Sequence, residues 1–102
     1  MSNRAWINFR EILKQQVMSS PMELSTAATS GKACIGQRCF TFKFSEPKGV
    51  PLLEITFVNC YPNPTYRLRC VGESWVMDGG DPVDDMSSEE LAHHCVAFLD
   101  SM

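Results

Sequence analysis

The chain has no long hydrophobic run. No segment approaches the roughly 20 consecutive apolar residues that span a bilayer. The apolar stretch of a secretory signal is missing as well, because Met1-Ser2-Asn3-Arg4 leads into a segment broken by Arg10, Glu11 and Lys14. Residues 4–18 share one trait with transit peptides, a single acid (Glu11), but their amphipathic pattern serves a core helix better. There is no basic excess: the formal net charge is −3. A protein that neutralises many phosphates normally carries a basic balance, so nucleic acid is disfavoured as a partner unless a local basic face overrides the total. An even cysteine framework is lacking too. The five cysteines, Cys34, Cys39, Cys60, Cys70 and Cys95, read as free thiols in a reducing, cytoplasmic compartment. No repeat or low-complexity tract is present. Gly79-Gly80 lacks the spacing and the following Lys-Ser/Thr of a phosphate loop, and no serine sits in a nucleophile elbow.

What is present suits one small domain. At 102 residues there is room for a single core over 1–102, and hydrophobic and charged fractions of 44% and 21% are near globular averages. Trp6, Phe9, Leu13 and Val17 recur at steps of three and four, which predicts a helix over 4–18 capped by Asn3 or Ser2. Ser20-Pro21-Met22-Glu23 has the form of a capping box with proline at the first helical position. With Gly31 as a stop it predicts a short helix or an ordered loop over 21–30.

Strict alternation of Phe40, Phe42 and Phe44 with Cys39, Thr41 and Lys43 predicts a strand over 33–45, with Gly36 as a bulge or bend. Glu46-Pro47-Lys48-Gly49 signals a turn. Further strands follow at 51–59, 65–71 and 73–78, the first two divided by the turn Tyr61-Pro62-Asn63-Pro64. Gly79-Gly80-Asp81-Pro82 breaks the sheet. Ser87-Ser88-Glu89-Glu90 then opens a last helix with the stripe Leu91, Cys95, Phe98, Leu99 and Met102. The expected fold is α+β, a two-layer sandwich of a 3–4-stranded antiparallel sheet with the N- and C-terminal helices on its Phe40/Phe42/Phe44 face (α-β-β-β-(β)-α). This layout is similar to that of several unrelated small folds, double-stranded-RNA-binding domains and small acidic secretion chaperones among them, and layout alone says little about function.

The chemistry-bearing residues do not assemble into a recognisable catalytic set. Zinc needs three or four ligands converging on a tetrahedron. Cys34 and Cys39 form a loose pair with no second pair after it, and on one unbulged strand they would face opposite ways. His93-His94-Cys95 are neighbours on a helix and diverge by about 100°. Cys60, in the turn before Tyr61, is the thiol placed best for exposure, but nothing puts a base beside it. Asp78, Asp81, Asp84, Asp85, Glu89 and Glu90 miss the ligand spacing of a calcium loop and suit a solvated helix entrance or an acidic contact surface.

The solvent face of the sheet is the better candidate. Alternation places Lys43, Glu54, Thr56, Arg67 and Arg69 there, together with Thr41 and Val58. The expectation is a non-enzymatic protein-binding module, of adaptor, chaperone or inhibitor type, contacting another protein through these five residues and through Asp81, Asp84 and Asp85. It needs no metal or other cofactor and no membrane. Its amphipathic helices could close a monomer or pair two subunits. The alternatives are a nucleic-acid-binding domain using Lys43, Arg67 and Arg69, and a metal or thiol site built from cysteine and histidine.

Overall fold

The computed structural model describes residues 4–18, 22–59, 65–77 and 85–100. Asn3 and Ser2 as caps, Cys60, the turn at 61–64, Asp78, Gly79-Gly80, Asp81, Pro82, Asp84 and Met102 lie outside the described residues. The element order is α1 (Arg4–Val17), β1 (Glu23–Thr26), β2 (Ser30–Ile35), β3 (Arg38–Ser45), β4 (Leu52–Val58), β5 (Thr65–Val71), β6 (Ser74–Met77), β7 (Met86–Ser87) and α2 (Ser88–Asp100). All seven strands join one antiparallel sheet in the order β1-β2-β3-β4-β5-β6-β7, an up-and-down meander curled into a half-barrel. The three-to-four-stranded sandwich expected from the sequence is therefore too small, although the α+β class stands.

Three local errors account for the difference. Within the segment 21–30, expected to be a short helix or an ordered loop, Glu23–Thr26 forms β1 and pairs with β2, with Glu23 opposite Cys34 and Thr26 opposite Gly31, while Ser20 and Pro21 of the expected capping box lie outside the described residues. Its serine and threonine residues are poor helix formers, and pairing in the sheet supplies the hydrogen bonds that a short helix would lack. The expected strand at 33–45 is two strands. Gly36, at φ 65°, takes the first central position of a two-residue hairpin turn, the place where a positive φ favours glycine. Gly72, at φ 66°, does the same between β5 and β6. The last addition, β7, is two residues long and extends the sheet by pairing with Ser74 and Trp75.

One core occupies the concave side. Trp6, Phe9 and Leu13 of α1 and Leu91, Cys95 and Leu99 of α2 pack with Phe40, Phe42, Phe44, Leu53, Ile55, Phe57 and Leu68. Trp6 stacks on Phe44 at 5.2 Å between ring centroids, and Phe9 meets Phe42 edge-on at 5.5 Å. Both tryptophan N–H groups are paired, whereas Arg10 Nε and Arg38 Nη1 are buried without a hydrogen-bond partner. Trp6 Nε1 donates to the Ala28 carbonyl at 3.1 Å and Arg10 Nη1 to the Ala27 carbonyl at 3.2 Å, so α1 holds the β1–β2 turn. Trp75 Nε1 donates to Ser88 Oγ at 2.9 Å, and Ser88 Oγ donates to the Ala5 carbonyl at 2.7 Å. That buried relay ties β6, α2 and α1 together. Ser87 caps α2: its Oγ accepts from Glu90 N–H at 3.1 Å and donates to Glu90 Oε1 at 3.3 Å.

The cysteine reading also needs correction. Cys34 and Cys39 are disulfide-bonded, not free thiols. The turn at Gly36-Gln37 sets them on opposite strands in register, with Cα atoms 4.0 Å apart, where a single strand would have pointed them to opposite faces. Closing so short a loop stabilises the fold by about 2 kcal/mol. Replacing both residues by serine is expected to lower the melting temperature by about 10 °C. Calorimetry of the double variant checks this, and an unchanged melting temperature would show that the hairpin is held without the crosslink.

Candidate functional site

Hairpin register decides what meets on the outer, convex face. Three of the lateral rows that cross the sheet there hold the five residues expected to bind a partner. One runs Ser25, Lys32, Thr41, Thr56 and Thr65. The next runs Ser30, Lys43, Glu54 and Arg67. A third runs Ser45, Leu52, Arg69 and Val76. Five residues expected to bind a partner, Lys43, Glu54, Thr56, Arg67 and Arg69, are thus together on one surface. Asp85 is exposed just ahead of β7. Asp81 and Asp84 lie outside the described residues.

The middle row largely satisfies itself. Arg67 Nε bonds Glu54 Oε2 at 3.1 Å, with both side chains well exposed, a pair worth roughly 0–1 kcal/mol. Glu54 also sits opposite Lys43, so the three charges leave one net positive. Such a row is a poor track for a phosphate backbone. In the threonine row, the Thr56 and Thr65 hydroxyls share a hydrogen bond of 3.3 Å.

The third row is different. Arg69 is half-buried between Leu52 and Val76, its partners in register. Val76 is buried although it faces outward. A ladder bond from Cys70 N–H to the Pro51 carbonyl at 3.0 Å carries the pairing one step past β4 and places Val50 alongside Val71. These valines are 49% and 55% exposed. Arg69 therefore sits in an apolar corner of Val50, Leu52, Val71 and Val76. Alternation alone could have put these residues on the outer face, but their clustering needs the register.

Two other regions carry titratable groups. Glu11, Glu73 and Glu89 line a polar groove between α1 and the start of α2, and Glu73 there accepts from Arg4 at 3.5 Å. His93 and His94 are on the exposed side of α2. Among the described residues, no three or more histidine, cysteine, aspartate or glutamate side chains come close enough to hold a metal ion. Cys95 faces the core, where burial pushes its thiol up to about 12 and keeps it protonated. No described helix is long and apolar enough to cross a membrane. The chain matches no protein-family model, no curated protein and no solved structure.

Proposed function

We propose that this domain is a non-enzymatic protein-binding module whose contact surface is the convex sheet face centred on Arg69. The supporting observation is the setting of that arginine. A guanidinium flanked in register by Leu52 and Val76, beside the exposed Val50 and Val71, has the composition of an interface centre. Arginine anchors in apolar surroundings carry a large share of binding energy, whereas solvated rim charges contribute little. Lys43, Glu54, Thr56 and Arg67 form the polar rim on this reading, with the ion pair of Glu54 and Arg67 helping to set orientation. Asp85, and Asp81 and Asp84 near it in the chain, add negative charge toward a basic region of the partner.

The crosslink of Cys34 to Cys39 fits an oxidising compartment better than the reducing cytoplasm that free thiols would imply. Arg69→Glu is expected to remove the partner from a pull-down, with binding weakened roughly a hundredfold, while Arg67→Glu weakens it less than tenfold. A partner list unchanged by Arg69→Glu overturns the assignment of this face. If the partner is a second copy of the chain, the same variant abolishes a concentration-dependent rise in mass by sedimentation.

A further inference from the structure

The concave side of the sheet is not filled evenly. Toward β3 and β4 the inward side chains are sealed: Phe40, Phe42, Leu53 and Ile55 are at most 1% exposed. Toward β5, β6 and β7 the curl opens. Tyr66 belongs to the inward set of β5 with Leu68 but is 36% exposed, and Met77, Met86 and Phe98 are half-buried. Between these strands and α2 lies a cavity of about 210 Å³ that opens to solvent. Its walls are Phe57, Tyr66, Met77, Met86, Cys95 and Phe98 among others, and His94 stands at its mouth.

We infer that this cavity binds a small aromatic molecule bearing one polar substituent. Size bounds the guest: an apolar cavity of about 150 Å³ accepts benzene, so 210 Å³ suits a substituted benzene or an indole. The walls choose the class. Phe57 packs against Phe98 at 4.4 Å between centroids and meets Tyr66 edge-on at 6.1 Å, so much of the wall is aromatic, a surface that suits an aromatic guest. The Met77 and Met86 thioethers are adaptable and favour contact with aromatic rings. Polar groups are few. The lining side chains offer the His94 imidazole, the Tyr66 hydroxyl and the protonated Cys95 thiol, enough for one substituent but not for the regular N–H and C=O series of a peptide. The site is on the opposite side of the sheet from Arg69, so it can be tested independently of partner binding.

Toluene, phenol and indole are the probes, titrated separately into the isotopically labelled protein. Saturable shifts are expected at Leu68, Met77, Leu91, His94, Cys95 and Phe98, with a rise in melting temperature of about 5 °C near saturation. Cys95→Phe puts a ring into the cavity and should abolish binding of all three. His94→Leu, at an exposed position, should cut the preference for phenol over toluene roughly tenfold. No saturable shift with any probe overturns the inference, as do shifts confined to the convex face. Undiminished binding in a folded Cys95→Phe protein overturns it too. So does a tryptophan-bearing peptide that binds there when free indole does not, since that outcome marks a docking groove. Should Cys95→Phe fail to fold, the wild-type titrations and His94→Leu decide alone.

Discussion

Gly31→Val is expected to destabilise the protein by about 3 kcal/mol or more, a large part of the 5–15 kcal/mol that holds a typical domain. The glycine is needed for space, since its backbone is ordinary strand. Gly31 pairs with Phe42 across β2 and β3, and the Phe42 ring lies over it. A Cβ there would run into Phe42 Cζ, stand 2.6 Å from Cε2 and lie 2.9 Å from the Ser25 carbonyl oxygen. The ring has nowhere to go. It is 1% exposed and held edge-on by Trp6 at 5.8 Å and by Phe9 at 5.5 Å. Moving it would disturb α1 and the sheet together. Urea titration should show the midpoint falling with little change in slope. The double variant with Phe42→Ala should cost less than the sum of the two single changes, because removing the ring makes room for the valine. Strict additivity, or an unshifted midpoint in Gly31→Val, would show that Phe42 is not pinned.

That glycine marks where sequence reasoning lost the fold. The periods are plain in α1, β3, β4 and β5, since apolar residues at steps of three and four, or of two, report directly on which side is buried. The caps and turns of the first half are ambiguous. Ser20-Pro21-Met22-Glu23 is a respectable helix start by local chemistry, and only pairing with β2 reveals the strand. Gly36-Gln37 carries the glycine of a hairpin turn but no Asn or Asp to advertise it, so two strands read as one.

Missing that turn hid the Cys34–Cys39 crosslink, because spacing alone does not say whether five residues run straight or double back. A period of two was enough to gather Lys43, Glu54, Thr56, Arg67 and Arg69. Register was needed to see that Glu54 satisfies Arg67 while Leu52 and Val76 flank Arg69. The cavity beside α2 was out of reach, since it comes from the curl of seven strands, a collective property that no residue encodes.

Above pH 9, folding stability should fall with a steepness set by Cys95. Burial alone raises this thiol from 9.0 to about 12. Between those values the unfolded chain gives up the proton and the folded protein keeps it, so the unfolded state binds fewer protons and stability drops as pH rises. The contribution is complete below pH 9 and is lost on the way up to the folded value of about 12. The slope is about 1.4 kcal/mol per pH unit, which makes about 2 kcal/mol by pH 10.5. Cys95→Ala removes the thiol and should flatten this part of the curve. The other titrating groups are common to both proteins and cancel in the difference. Denaturant unfolding at pH 7, 9 and 10.5 under anaerobic conditions measures it, and parallel curves for the two proteins would mean that water reaches Cys95 from the cavity. The same burial should slow alkylation of Cys95 at pH 8 by about a thousandfold relative to an open thiol, so that reaction proceeds mainly through local opening of α2. A guest lodged beside Cys95 would close that route, and protection of the thiol by indole would therefore report occupancy of the cavity and the wall that forms it in one measurement.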